Sequence, residues 1–178
     1  EQRNLHLLAL NFCIRKINQS QQDYFREALD LYKSALNADL LLENGQLSHF
    51  AYNNIAAIAL KVGEADWAEE FIHRYAPFLE KKHRDAAFHL NLARVEYGRQ
   101  NMREALLHLQ QADYKDLINN LIAKTLQLKI YYETGELDAL DAAPDAPGSG
   151  ADAAHPARHT GIDDELVDLI LLDPADVT

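Results

Sequence analysis

Cysteine, glycine and proline are scarce in this chain of 178 residues. The single cysteine, Cys13, excludes an internal disulfide framework and zinc sites with several thiolate ligands, and it suits a reducing compartment. Long apolar runs are also missing, because charged residues interrupt the apolar positions every few residues. We therefore expect neither a segment that spans a bilayer nor a signal-peptide core. The hydrophobic content of 48% is that of a soluble globular protein.

The first residue is Glu1 rather than Met, and it lies close to or inside a helical pattern. This start allows that a native N-terminus, with any targeting signal, lies upstream. From the composition alone we expect a cytoplasmic protein.

Basic residues are too few for a general nucleic-acid binder. The formal net charge is −11, whereas phosphate binding needs clustered Lys and Arg. Nine acidic residues and one basic residue, Arg158, lie in residues 141–178, which gives this segment a charge of −8. Residues 1–140 hold 19 acidic and 16 basic residues, a charge of −3. The acidity therefore belongs mainly to the C-terminal segment.

Residues 1–140 have a helical pattern almost throughout. Leu, Ala, Glu, Lys and Gln recur there at spacings of three and four, and alternating strand patterns are absent. Asn44-Gly45 predicts a helix end, and Ser48 is a candidate N-cap of the next helix. Pro77 is expected to end or bend the helix in which it falls. The predicted fold class is all-α.

Short motifs recur along this helical region. Asn-Ile-Ala at Asn54–Ala56 returns 37 residues later as Asn-Leu-Ala at Asn91–Ala93. Twelve residues after each of these alanines lies another alanine, Ala68 and Ala105 respectively. The two units are therefore in register, and each is predicted to be a helix, a polar turn and a second helix.

Two further copies are less regular. Asn-Phe-Cys at Asn11–Cys13 fits the same position with Cys in place of Ala, and Ala28 follows fifteen residues later. A fourth copy, LQLKIYYETGELDAL, keeps Gly135 but has no Asn. The predicted helices cover residues 4–18 and 22–41, 48–62 and 65–76, 83–98 and 101–112, and 115–133 with a stub from 136.

These units resemble the tetratricopeptide repeat (TPR) family in a degenerate bacterial form. A TPR unit has 34 to about 40 residues, with a small residue in its first helix, another twelve residues later in its second helix, and a large residue four beyond that. Here these positions are Ala56, Ala68 and Ile72, and then Ala93, Ala105 and Leu109. The resemblance covers about residues 5–140. It implies a right-handed α-solenoid of antiparallel helix pairs with about 3.5 repeats, and a protein-binding role.

The resemblance also implies a concave surface along the first helices of the units. Asn11, Asn54 and Asn91 each lie two residues before the small residue, where their amides could bind the backbone of a peptide. Arg94 and Lys129 lie one residue after that position and would add positive charge. The alternative is that the three amides satisfy helix ends or loops within the stack, and that the two cations are ordinary solvated residues.

Catalytic and metal sites are not expected. His-Glu-x-x-His, a glycine-rich phosphate loop, a serine nucleophile elbow and paired cysteines are all absent from the sequence. His155 and His159 have a helical spacing, but Pro156 between them opposes a helix and no third ligand is placed. Cys13 stands where other units have a small packing residue. We therefore expect no enzyme activity, no cofactor and no metal.

Residues 142–161, AAPDAPGSGADAAHPARHTG, are rich in Ala, Pro, Gly and Asp, which predicts a flexible linker. Residues 162–178 combine acids with four apolar residues on one helical face, Ile162, Leu166, Leu169 and Ile170. A short strand is the alternative. We expect this segment to act as an interaction motif, in cis or in trans, or to cap an incomplete fourth pair. The change of composition also allows that residues 142–178 were fused from a different source.

Residues 1–141 are thus predicted to form a helical repeat domain. Its predicted role is a non-enzymatic scaffold that binds a protein or peptide partner in a concave groove, with the C-terminal segment as a candidate ligand. The alternative is a structural or assembly module, the terminal part of a longer solenoid that oligomerises. Neither a nucleic acid nor a membrane is expected as a partner.

Overall fold

The computed structural model describes residues 2–135, and this part of the chain is all-α as predicted. Its α-helices are α1 (Gln2–Asn18), α2 (Tyr24–Asn37), α3 (His49–Lys61), α4 (Ala65–Tyr75), α5 (Lys81–Gly98), α6 (Met102–Gln111) and α7 (Leu117–Thr134). Two short strands, β1 (Leu42–Glu43) and β2 (Gln46–Leu47), form one hairpin. None of these helices combines the length and the apolar character that crossing a membrane requires.

Three predictions concern residues outside the described range. They are the helical stub from residue 136, the linker at residues 142–161, and the C-terminal segment with Ile162, Leu166, Leu169 and Ile170. All three stay predictions.

The helices pack in consecutive pairs. Helix α1 packs on α2, α3 on α4, and α5 on α6. Each pair contacts the next through α2 and α3, α4 and α5, or α6 and α7, and α5 also contacts both α3 and α7. We call the odd-numbered helices A helices and the even-numbered helices B helices. One core cluster joins α1 to α5, and a second joins α5, α6 and α7.

The A helices end in the same left-handed turn. Ser20, Gly63, Gln100 and Gly135 have φ values of 62°, 82°, 64° and 74°. In the first three turns, the N–H of the following residue donates to the carbonyl oxygen five residues before it, over 2.9 to 3.0 Å. This bond closes the last helical turn and reverses the chain, so that a B helix returns along its A helix. Glycine adopts a positive φ without steric penalty, whereas serine and glutamine adopt it at a cost.

Small residues stand where A and B helices approach each other. Those selected from the repeat spacing are all buried, with at most 4% of their surface exposed: Cys13, Ala28, Ala56, Ala68, Ala93 and Ala105. Larger side chains there would push the helices apart, because protein interiors are close-packed. The prediction that these are packing positions is confirmed.

The segment between α2 and α3 differs from its prediction. Helix α2 ends at Asn37, four residues before the predicted end, and the chain turns at Asp39, whose φ is 53°. Asn44 and Gly45 do not end a helix but form the turn of the β1–β2 hairpin, with φ values of 51° and 76°. Asn-Gly is the preferred pair for a type I′ turn, which needs two positive φ values. Ser48 takes the N-cap position of α3, but its hydroxyl makes no capping hydrogen bond.

Pro77 ends α4, as predicted. The α-helix stops at Tyr75 and passes into a 3₁₀ turn, Ala76–Phe78. Proline has no N–H with which to continue the α-helical hydrogen bonds. Leu79 then leaves the turn in an extended conformation and pairs with Leu47 of the hairpin. The loop after α4 is thereby tied to the loop before α3.

Two pairs of histidines lie between helices. The rings of His49 on α3 and His83 on α5 stack with their centroids 3.9 Å apart. Burial, and then the charge of His83, lowers the pKa of His49 to about 4. The Nδ1 atoms of His89 on α5 and His108 on α6 are 3.3 Å apart, and burial lowers the pKa of His89 as well. His49 and His89 are therefore neutral at pH 7.

We expect the stability to fall as the pH drops from about 6.5 towards about 4. In this range an unfolded histidine binds a proton that the folded His49 excludes, so that protons favour the unfolded chain. The substitution His49→Gln removes this titration and should flatten the dependence of Tm on pH, measured by circular dichroism. The control Asn37→Gln changes an exposed side chain that does not titrate and should keep the wild-type slope. An unchanged slope in His49→Gln would contradict the role of this ring.

Candidate functional site

A series of buried amides connects the A helices α3, α5 and α7. Asn91 Nδ2 donates to Asn53 Oδ1 over 2.6 Å, and Asn53 Nδ2 donates to Asn119 Oδ1 over 3.0 Å. These residues expose at most 7% of their surface. We call the three residues the amide chain. Because its members belong to three helices, its hydrogen bonds fix those helices relative to one another.

Hydrogen bonding along the amide chain is incomplete at one end. Asn91 Nδ2 also donates to the carbonyl oxygen of Ala87, one turn earlier in α5, over 2.8 Å. Asn119 Nδ2 is buried and has no hydrogen-bond partner among the described residues. A buried donor without a partner costs about 1–3 kcal/mol. The amide chain thus ends in a donor that an additional acceptor would satisfy.

Arg94 extends the amide chain at its other end. Its Nη1 donates to Asn91 Oδ1 over 3.1 Å, and only 8% of the residue is exposed. Burial lowers the pKa of the guanidinium to about 10, so that it keeps its charge at pH 7. No carboxylate in residues 2–135 forms an ion pair with it. A buried cation that contacts only a neutral amide lacks the charge compensation that burial normally requires.

Lys129 is a second buried cation and belongs to α7, the helix that packs on α5. Tyr97 Oη donates to Glu133 Oε1 over 2.6 Å, which fixes the level at which the two helices meet. Arg94 lies three residues before Tyr97, on the same face of α5. Lys129 lies four residues before Glu133, on the same face of α7. Each cation therefore lies about one helical turn before the Tyr97–Glu133 contact on its own helix.

Lys129 is buried like Arg94, with 7% of its surface exposed, and none of the described acidic side chains forms an ion pair with it. We call Arg94, Lys129 and the free donor of Asn119 the basic seam. Asn119 and Lys129 are ten residues apart on α7, so that the basic seam extends over about 15 Å. This arrangement offers donors and positive charge, and no carboxylate among residues 2–135 complements the two cations.

Two of the five residues predicted to bind a peptide lie together. Asn91 and Arg94 are in contact, and Lys129 is buried on the neighbouring helix α7. Asn54 is buried in α3 outside the amide chain, and Asn11 lies apart on α1 with its Oδ1 buried and unpaired. The alternative that Arg94 and Lys129 are solvated is wrong, because both are buried. A peptide-binding role for the five residues stays a prediction.

Sequence reasoning missed Asn53 and Asn119. The repeat spacing aligns Asn91 with Asn54, yet the residue that Asn91 contacts is Asn53, one position earlier. Asn119 has no counterpart at the repeat spacing. The sequence did contain a signal, because α3 has the pair Asn53-Asn54 and α7 has the pair Asn119-Asn120. Two adjacent asparagines place an amide near this face even if the alignment of the helices is wrong by one position.

Other reactive groups do not form a site in the described range. Cys13 is buried, and burial followed by the charge of Glu27 raises the pKa of its thiol, which opposes a role as nucleophile. Within residues 2–135, no three side chains of His, Cys, Asp or Glu lie close enough together to hold a metal ion. His155 and His159 lie outside the described residues.

We expect Asn91→Ala to destabilise the protein by about 2–3 kcal/mol, because it leaves Asn53 Oδ1 and Arg94 buried without their partner. Asn53→Ala should have a similar effect. The double variant should lose less than the sum of the two, since both changes break one shared hydrogen bond. Urea denaturation measures all three, and Asn37→Ala at an exposed position is the neutral control. Strictly additive effects would argue against the amide chain as a unit.

Comparisons of the chain with protein-family models, with curated proteins and with solved structures find no match.

Proposed function

We propose that the protein is a non-enzymatic protein-protein interaction scaffold that binds an acidic peptide or helix along its A helices. In this proposal the chain is a right-handed α-solenoid of about 3.5 TPR-like repeats. Three features support it: the repeated left-handed turns, the small residues between A and B helices, and the contacts of α5 with α3 and α7. Stacked helix pairs of this kind present extended binding surfaces. The free thiol of Cys13 favours a reducing compartment such as the cytoplasm.

The basic seam is the observation that carries the proposal. Two cations that expose less than a tenth of their surface have no carboxylate partner in the described range, and the amide donor of Asn119, at the other end of the amide chain from Arg94, is unpaired. A ligand carboxylate would supply the missing acceptor through charge-assisted hydrogen bonds, which are about twice as strong as neutral ones. The binding energy would come from charges that the folded protein already holds in place.

The extent of the basic seam favours a peptide over a small anion. Its donors belong to two helices, and those of Asn119 and Lys129 alone are about 15 Å apart along α7. One inorganic anion would reach only one of them. An acidic peptide carries several carboxylates and could supply one to each cation. The C-terminal segment, residues 162–178, has this chemistry and is a candidate ligand in trans.

Hexaglutamate tests this proposal without a known partner. A ligand that binds only the folded state raises Tm. We expect millimolar hexaglutamate to raise the Tm of the full chain by several degrees in low salt, and hexaserine to leave it unchanged. Arg94→Gln with Lys129→Gln should abolish the shift.

Arg103→Gln is the matched control, because it removes an exposed cation from α6 and should keep the shift. The readout is the change of Tm on adding peptide, so that a lower starting Tm in the double variant does not affect it. Equal shifts in the double variant and the control would assign the effect to general charge screening and refute the basic seam as a binding site.

An assembly module is the second candidate function, supported by α1. Leu5, Leu8 and Phe12 lie on one face of this helix and are 68%, 67% and 50% exposed. Exposed apolar stripes of this kind mark contact surfaces. A second copy of the chain could cover this one.

If the protein assembles through α1, its mass by light scattering should rise with concentration from micromolar to millimolar. Leu5→Ser with Leu8→Ser should then restore the monomer, because the buried apolar contact is lost. Leu107→Ser, at an exposed leucine on α6, is the control. A monomer at all concentrations would rule out assembly.

A further inference from the structure

Helix α7 carries an exposed apolar stripe along its whole length. Leu117, Leu121, Leu128 and Tyr132 are 82%, 63%, 51% and 43% exposed. Lys124, also exposed, stands in the middle of the stripe. The spacings of four, three, four and four residues put all five on one face of the helix. The stripe is distinct from the basic seam, whose residues are buried.

Aligning α7 with α5 shows which positions of α5 are equivalent to the stripe. The left-handed residues Gln100 and Gly135 close equivalent turns, 35 residues apart. At that spacing Leu128 matches Ala93, Lys124 matches His89 and Tyr132 matches Tyr97. On α5 these are the positions that meet the B helix of the same pair.

One direct contact and the shared core cluster indicate that α5 uses this face for α6. His89 meets His108 of α6 at 3.3 Å between their Nδ1 atoms. Ala93 belongs to the same core cluster as Ala105 and Leu109 of α6, and Tyr97 packs against that cluster. The α7 stripe is therefore the face on which a fourth B helix would pack, and no helix of residues 2–135 packs there as a pair partner.

The sequence directly after Gly135 is a poor fourth B helix. Helices α4 and α6 have 11 and 10 residues, but Pro144 comes only nine residues after Gly135. Proline removes a helical hydrogen bond and disfavours helix in the residue before it. Pro147 and two glycines follow at once.

We propose that residues 162–172 occupy the B position of the fourth pair and pack on the α7 stripe of the same molecule. This segment, IDDELVDLILL, has 11 residues, as α4 does, and contains neither proline nor glycine. Four of its seven apolar residues, Ile162, Leu166, Leu169 and Ile170, have the spacing of one helical face. Pro174 follows two residues later, where a helix would stop.

Charge complementarity supports this occupant. The stripe has Lys124 between its leucines, and the segment has Asp163, Asp164, Glu165 and Asp168 among its apolar residues. Acids in the first turn of the docked helix would also interact favourably with its own N-terminus. The segment therefore matches the stripe in both polarity and charge.

The connection is long enough to allow this packing. If residues 162–172 dock in this way, residues 136–161 are the 26-residue connection from Gly135, which lies beside the Tyr132 end of the stripe. A flexible chain of this length spans about 28 Å on average, and the stripe covers about 22 Å. Tethering raises the effective concentration of the segment to about the millimolar range. The proposal does not depend on the basic seam.

Disulfide trapping tests the proposal in the full chain. In a Cys13→Ala background, Leu128→Cys with Leu166→Cys should form an intramolecular disulfide under mild oxidation at least ten times faster than Leu5→Cys with Leu166→Cys. The second pair is the matched control, since it offers the exposed stripe of α1 instead. Equal rates, or disulfides only between molecules, would overturn packing in cis.

Thermal unfolding supplies a measurement that does not rely on cysteine. Leu128→Ser and Leu166→Ser should each lower Tm by a few degrees, and the double variant should fall little further, because both remove one contact. If α7 stays uncovered, Leu128→Ser replaces an exposed leucine and should leave Tm unchanged. That result would refute the packing whether or not the hexaglutamate shift is observed.

Discussion

The left-handed turn that closes each A helix is the constraint on which the rest of the packing depends. At Ser20, Gly63 and Gln100 it reverses the chain within a few residues and fixes where each B helix begins. After Gly63 and Gln100 the B helix begins two residues later, so the crossing points of these two pairs fall at the same distance from the turn. A small residue is needed at that point, and Ala68 and Ala105 both lie five residues after the left-handed residue.

This regular stacking has an electrostatic consequence. Successive A helices meet with similar faces, so that the side chains of Asn53, Asn91 and Asn119 come together in the interior. Amides can satisfy one another there because each one both donates and accepts. Arg94 and Lys129 cannot, because cations only donate. The same packing that completes the amide chain therefore leaves two buried cations uncompensated within the described residues, which is the reason to look for an acidic partner.

Much of the fold could be predicted from the sequence, because helical periodicity and alanine spacing are local properties. The paired helices and the end of α4 at Pro77 follow from such signals. The β1–β2 hairpin was missed because Asn44-Gly45 favours a helix end and a tight hairpin turn equally, and only the flanking residues separate the two. The amide chain was missed in part because its register depends on how α3, α5 and α7 pack in three dimensions. The repeat spacing aligns Asn91 with Asn54, but the amide that Asn91 contacts is that of Asn53, one position earlier. An alignment of repeats cannot decide between two adjacent positions.

At the end of the described stack, apolar side chains are exposed at positions that are buried in its interior. An A helix packed on both sides buries its B-facing positions, as α5 does with Ala93, whereas α7 leaves Leu128 and Tyr132 half exposed at the matching positions. Burying one such leucine is worth roughly 1.5–3 kcal/mol, so that the α7 stripe favours any apolar helix that reaches it. A segment tethered at Gly135 has an advantage over free partners because it competes at millimolar effective concentration. An external ligand would have to displace the tethered segment from this face. Its dissociation constant would therefore have to be well below the one that the same segment has as a free peptide. The basic seam lies between helices and apart from the stripe. A segment docked on the stripe would therefore not compete with a ligand for the basic seam.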